Sequence, residues 1–221
     1  MTLTEQLWQL LYGGSPFAGF ASDLRPDLES WPSDLSLIDR AIDVLQPDLI
    51  VEVGSWKGRS AVHMARRASA FRPLTMVCVD TWLGSVEHWL NPEWKASLLI
   101  RNGRPRIYDQ FMVNVVDAGC ADSVVPMSMP SAQAAEILRA LGLSIPMVYL
   151  DGAHDFDSVR QDIAAWWPLV RPGGILIGDD YIEPWYGVID AADDFMRAGV
   201  GIANKGVLGS KWFAQKEGGS G

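Results

Sequence analysis

Residues 49–69, LIVEVGSWKGRSAVHMARRAS, decide the fold. The run Leu49-Ile50-Val51-Glu52-Val53 is short and β-branched, it ends at Gly54, and residues 59–69 continue with helical spacing. A strand, a glycine turn and a helix in succession open a Rossmann-type half. The unit recurs: 75–80 (TMVCVD), 123–127 (SVVPM), 146–151 (PMVYLD) and 174–179 (GILIGD) read as strands, and 131–142 and 156–168 as helices between them. These strands are mostly apolar throughout rather than alternating, so both faces of the sheet are covered. The class is α/β with a parallel sheet.

Outward from that centre, Thr4 can cap a short helix running to Gly13, and a second helix follows Ser33, with Ile38, Ala41, Ile42 and Leu45 on one face and Pro47 as its stop. These form an N-terminal flank, 1–47. At the other end, a helix near 187–198 precedes two short strands, 200–204 and 210–215, about a turn at Lys205-Gly206, which predicts an antiparallel edge hairpin. Residues 82–117 break the alternation and read as a polar and aromatic insertion, helical in parts, between the second and third strands. A single domain over 1–217 with a flexible Gly/Ser tail at 218–221 is expected.

Bulk composition narrows the function. The 221 residues suit one domain, 48% are hydrophobic and 20% charged, and no window approaches the ~18 apolar residues of a membrane span. Eighteen Lys and Arg against 27 Asp and Glu give a net charge of −9, the wrong sign for a nucleic-acid phosphate backbone. Two cysteines make no disulfide framework and the start has no signal-peptide pattern, so a cytoplasmic protein is expected. Ten tryptophans exceed what core filling asks of so small a chain.

In an open parallel sheet, ligands bind beyond the carboxyl ends of the strands. Those ends here read Glu52-Val53-Gly54-Ser55-Trp56-Lys57-Gly58, Asp80-Thr81-Trp82, Asp151-Gly152-Ala153-His154 and Asp179-Asp180-Tyr181, so carboxylates gather on one rim. The glycine spacing is not G-x-G-x-x-G, which argues against a dinucleotide dehydrogenase. Glu52, two residues before Gly54, would repel a pyrophosphate and attract an ammonium or sulfonium, which fits S-adenosylmethionine, and Asp80 is placed for the ribose hydroxyls of an adenosine.

Three stretches, VEVGSWKGRSAVHMA (51–65), VCVDTWLGSVEHW (77–89) and VYLDGAHDFDSVRQDIAAWWPLVRPGGILIGDDY (148–181), resemble class I S-adenosylmethionine-dependent methyltransferases, and more narrowly the macrocin O-methyltransferase-like group. The resemblance implies a seven-stranded sheet with an antiparallel last strand. It also implies cofactor contacts at Glu52, Gly54, Ser55, Trp56, Gly58 and Ser60 of the glycine turn, Asp80, Thr81 and Trp82 after the second strand, Ser128 and Ser131 after the third, and Asp151. Ser131 is equally suited to cap a helix. Relatives use edge strands and N-terminal helices as dimer contacts, so a homodimer or larger homo-oligomer is an expectation.

Asp151, Asp179 and Asp180 would repel one another if left alone, and hard oxygen ligands of this kind suit Mg²⁺, Mn²⁺ or Ca²⁺. Metal-dependent relatives hold such an ion at these strand ends, where it lowers the pKa of an acceptor hydroxyl. His154 is the first choice of general base, since a free imidazole titrates near about pH 6.5. His88 is the rival and His63 reads as a packing residue. Catechol-type relatives carry a lysine at the spacing of His154, and some antibiotic-sugar enzymes carry an acid where this chain has Ala153. Lys95, Arg101, Arg104 and Arg106 read as a solvated face or a receiver of an anionic substrate.

The expected reaction is O-methylation of a small molecule, a sugar or phenolic natural product, with metal-free methylation and a non-methylating cofactor binder as alternatives. Trp56, Trp82, Trp89, Trp94 and Trp185 fall at the predicted rim, which predicts an aromatic-walled pocket. Trp8, Trp31, Trp166, Trp167 and Trp212 fall at peripheral packing positions.

Overall fold

A computed structural model describes residues 1–29 and 33–219. Its centre is a seven-stranded sheet in the order β3-β2-β1-β4-β5-β7-β6. The strands are β1 (Leu49–Val53), β2 (Thr75–Asp80), β3 (Val124–Ser128), β4 (Ile145–Leu150), β5 (Val170–Gly178), β6 (Ile202–Leu208) and β7 (Lys211–Lys216). The first five pair in parallel, and β7 runs antiparallel to both β5 and β6. The expected α/β class and antiparallel last strand are therefore present.

Both faces are covered because successive residues of each central strand enter different layers. Leu49, Val51 and Val53 of β1 pack with α1 (Leu3–Tyr12), α7 (Ser131–Ala140), α8 (Phe156–Trp166) and α9 (Tyr186–Ala198). Ile50 packs on the other side with α2 (Ser36–Leu45), α3 (Arg59–Ser69) and α6 (Ile107–Asp117). Glu52 is the one acid in that run, and it points to the α3 side. Pro126 is tolerated inside β3 because β3 is an edge strand and one side of it has no ladder to supply.

Several local expectations are corrected. Helix α1 is capped by Thr2, not Thr4: Thr2 and Glu5 form a reciprocal capping box, while Thr4 is buried and hydrogen-bonds Thr75 Oγ1 at 2.8 Å. The hairpin turns at Gly209-Ser210, not Lys205-Gly206. Register pairs Leu208 with Lys211, and Gly209 takes φ +61°, so Lys205 and Gly206 lie inside β6. The 82–117 segment is also two things. Its first part holds the short helices α4 (Val86–Leu90) and α5 (Pro92–Lys95), but its end is α6, whose Ile107, Phe111, Met112 and Val115 are core.

Arg101, which stays mostly exposed, and Arg106 both pair with Asp23 of the N-terminal flank. The flank is fastened further on. Lys57, buried, meets Asp27 at 2.5 Å, and Asn114 Nδ2 donates to the carbonyls of Asp27 and Lys57 at 2.6 and 2.8 Å. No helix among the described residues is long and apolar enough to cross a membrane.

Candidate active site

The sheet order puts β1 beside β4, where the winding reverses, so the loops after these strands diverge and leave a crevice. Gly54 starts that crevice at φ +89°, and a Cβ there would lie 2.0 Å from the carbonyl oxygen of Asp151. Only glycine lets the first turn pass so close to the end of β4. Gly58 at φ +86° begins α3, and a Cβ there would meet the Phe111 ring at 2.9 Å.

Asp80, at the tip of β2, binds the turns on either side of it. Its Oδ2 accepts from the Trp56 amide at 2.8 Å and its Oδ1 from the Trp82 amide at 2.7 Å. Burial raises its carboxyl above the ordinary range, while the amides of Trp82, Trp56 and Thr81 pull it back. Each oxygen keeps lone pairs for further donors. Thr81 is exposed beside it, and Ser128, exposed at the end of β3, is its register neighbour.

Glu52 is fully buried. Its Oε1 accepts from Ser60 Oγ at 2.5 Å, and Oε2 has no hydrogen-bond partner among the described residues. Burial pushes this carboxyl up to about 7, against the pull of the neighbouring Ser55 and Ser60 hydroxyls. A buried acceptor without a donor is costly to the protein alone, and a ligand bringing N–H donors or positive charge would relieve it. The turn thus fits the amino-acid end of S-adenosylmethionine.

Across the crevice, Asp151, His154 and Asp180 line a narrow cleft with Gly152, Asp162 and Asp179. Burial, together with the charges of Asp179, Asp180 and Glu52, holds the Asp151 carboxyl well above the ordinary range. His154 Nε2 lies 3.0 Å from Asp180 Oδ2, and the ring stacks on Trp185 at 4.0 Å and 19°. One ring nitrogen is therefore held by a carboxylate, and the aromatic face fixes the ring plane. Gly187, one residue into α9, makes this possible: a Cβ there would sit 2.5 Å from both the His154 carbonyl and the Phe156 amide.

Three expected site residues have other work. The Trp82 ring is 2% exposed, edge-on to Tyr108 and against Phe111, with Nε1 donating to the Trp56 carbonyl at 2.7 Å, so it supports the glycine turn from within the core instead of walling a pocket. Ser131 does not cap α7. Its hydroxyl donates to Asp162 at 2.5 Å and accepts from Trp166 Nε1 at 2.8 Å, which joins α7 to α8. His63 does pack, through a 2.7 Å contact with Asp39 of α2.

Asp179 is the third. Its Oδ2 accepts from Lys211 Nζ at 2.8 Å, Tyr149 OH at 2.5 Å and Ser33 Oγ at 2.9 Å, and its Oδ1 from the Asp180 amide at 2.8 Å and Ser210 Oγ at 3.1 Å. Burial would raise its carboxyl, but the Lys211 and Tyr149 donors hold it below the ordinary range. Lys211 is itself 1% exposed. Among the described residues no three His, Cys, Asp or Glu side chains form a group able to hold a metal ion, and a carboxylate already saturated by five donors, one of them an ammonium, does not fit the role of metal ligand. Lys211, Tyr149 and Ser33 were not singled out by their sequence. A lysine opening an edge-hairpin strand carries no periodic signal, and its role depends on β7 lying beside β5.

Of the rim tryptophans, Trp56 lies tilted against His88 with ring centres 4.4 Å apart, Trp94 lies 5.9 Å from the same ring, and Trp185 backs His154. Trp89 is partly exposed, its Nε1 donating to the Leu83 carbonyl. Trp8, Trp166 and Trp212 are core, and Trp31 lies outside the described residues.

Comparison with known proteins agrees with this architecture. Over 97% of its length the chain superposes on 98% of an O-methyltransferase from Bacillus cereus solved with S-adenosylhomocysteine (TM-score 0.61, 14% identity). It superposes equally, over 97% of its length and 88% of the other chain, on TomG, an O-methyltransferase of tomaymycin synthesis from Streptomyces achromogenes solved with S-adenosylmethionine (TM-score 0.61, 18% identity). The O-methyltransferase NovP matches over 87% of both chains (TM-score 0.58, 19% identity). At these identities the likeness is one of fold, and no curated protein sequence matches significantly. A family model described as a methyltransferase domain matches residues 51–181, from the first glycine strand through the aspartate pair, so the chain belongs to the methyltransferase-domain family.

Proposed function

We propose that this protein transfers the methyl group of S-adenosylmethionine to a hydroxyl of a small molecule in the cytoplasm, with His154 as the base that accepts the hydroxyl proton. The observation that carries the reading is the His154–Asp180 pair, 3.0 Å apart, facing the crevice opposite the glycine turn and its buried, donor-seeking Glu52. When bound, the cofactor supplies an electrophilic methyl group. The chain supplies position and proton transfer. Glu52 and Asp151 offer carboxyl oxygens whose ionised forms a cationic ligand would stabilise, and Asp80 offers lone pairs to ribose hydroxyls. Asp180 holds the His154 ring and stabilises the imidazolium that forms when the acceptor gives up its proton. Holding both reactants against rigid strand ends lowers the entropic part of the barrier.

An acceptor with an aromatic or sugar ring suits the Trp185 face against His154 and the Trp56 and Trp94 rings beside His88. Metal assistance by three strand-end aspartates, the usual expectation for such a rim, is disfavoured by the donors already on Asp179. The test is incubation with S-adenosylmethionine and a panel of phenols, catechols and sugars, read by mass spectrometry. A product one methylene heavier, lost in H154A, supports the reading. Methylation confined to amines, or none with any acceptor while the cofactor binds, would point to a different acceptor class or to a binder that does not methylate.

A further inference from the structure

The donor set around Asp179 has a consequence for cation chemistry at the whole rim. Lys211 Nζ donates to Asp179 Oδ2 at 2.8 Å and to Ser33 Oγ at 2.5 Å, and it lies 5.8 Å from the centre of the Tyr149 ring. Ser33 Oγ passes its own hydrogen to the same Asp179 oxygen, so ammonium, hydroxyl and carboxylate close a triangle. Tyr149 OH completes the oxygen's shell, and the Asp180 amide and Ser210 take the other oxygen. The ammonium comes from β7 and the serine from the N-terminal flank. Two segments outside the parallel sheet thus converge on the tip of β5.

We propose that Lys211 is a built-in cation that takes the place of a divalent metal at this rim, so that Asp151, Asp179 and Asp180 bind no such ion in the wild-type protein. Three arguments carry it. A hard divalent ion needs oxygen lone pairs, and those of Asp179 are spent on five donors. An ion on Asp179 would stand within about 5 Å of the ammonium, given coordination distances of about 2–2.6 Å, and would be repelled by it. The remaining acids are also engaged or weakened as ligands: Asp180 is shared with His154, and burial together with the neighbouring carboxylates disfavours the ionised form of Asp151. A fixed ammonium keeps Asp179 charged and in place beneath Asp180, which in turn holds His154. Lys211 is therefore a positioning residue. Its bearing on catalysis rests on the proposed function, whereas its bearing on metal binding does not.

The test uses Mn²⁺ as probe, read by loss of the free-ion electron paramagnetic resonance signal and by the thermal midpoint, without any turnover. The wild-type chain should leave the signal of ~100 μM Mn²⁺ unchanged, with or without S-adenosylhomocysteine, and its midpoint should not respond to the ion. K211M removes the ammonium and frees a lone pair of Asp179 Oδ2 beside Asp151 and Asp180. It should melt lower than wild type, take up one Mn²⁺ per chain, and regain midpoint on adding the ion. D179N combined with K211M should abolish that uptake. Stoichiometric Mn²⁺ binding by wild type, lost in D179N, would overturn the proposal. So would a folded K211M that takes up no ion. If K211M does not fold, the wild-type titration alone decides. Failure of S-adenosylmethionine to bind would sink the proposed function and leave this result standing.

Discussion

At the scale of single residues, the site pairs two groups whose environments are set in opposite directions. Glu52 is raised to about 7 by burial, and Asp179 is held low by Lys211 and Tyr149. A ligand that donates hydrogen bonds to Glu52 binds its ionised form, so cofactor affinity should rise about fivefold from pH 6 to pH 7 as the carboxyl loses its proton, and E52Q should remove that dependence, as calorimetric titration at the two pH values will show. The linkage for folding has the reverse sign. A carboxyl raised from 4.5 to about 7 in the folded state lowers the stability of the unliganded protein as pH rises through that window, and E52Q should flatten the slope. For the base, H154A should lower turnover by about 10²–10⁴ with cofactor affinity little changed, and D180N should cost less because the imidazole remains. The positions of Glu52, Asp80, Asp151 and His154 at or just beyond strand ends are legible in the sequence, because the apolar runs define those strands. The ties of Asp179 and Ser131 were not, since each depends on partners far along the chain: Lys211 and Tyr149 for one, Asp162 and Trp166 for the other.

At the scale of elements, close approach replaces polarity as the controlling factor. Helix α9 reaches the His154 loop only because Gly187 has no side chain, and Trp212 of β7 lies across Gly178 of β5, where a Cβ would be 2.1 Å from the indole nitrogen. G187A should push α9 away from the loop and reduce turnover at least tenfold, with the far-ultraviolet circular dichroism spectrum retained. G178A should instead lower the thermal midpoint, because the neighbour that must move is a buried indole in the core. The β1, α3 and β2 boundaries follow from sequence alone, since apolar runs bounded by glycine and charge leave little freedom. The β6–β7 turn did not, because Lys205-Gly206 and Gly209-Ser210 both look like turns and only the pairing of Leu208 with Lys211 chooses between them. That helix α6 is core and not insertion is hidden for a related reason: its buried Gln110 and Asn114 look polar in sequence but bind the Arg25 carbonyl and the Asp27 backbone.

At the scale of the whole molecule, the net charge of −9 and the ten tryptophans are only partly features of the site. Trp8, Trp82, Trp166 and Trp212 are structural, whereas Trp56, Trp94 and Trp185 stand by the two rim histidines. The flank before β1 is part of the active domain in a physical sense, since Asp27 pairs with Lys57 inside the glycine turn and Ser33 joins the Lys211–Asp179 pair. D27A leaves Lys57 buried without its carboxylate, a loss of about 1–3 kcal/mol once the partial exposure of Asp27 is allowed for, readable as a drop in thermal midpoint. The central claim is that the crevice between the ends of β1 and β4 is built for a cationic adenosine cofactor. Calorimetric titration of the purified chain with S-adenosylmethionine tests it most directly: saturable binding of one molecule per chain, strongly weakened in D80A, is the predicted result, and no heat of binding at millimolar cofactor, or binding indifferent to D80A, would contradict it.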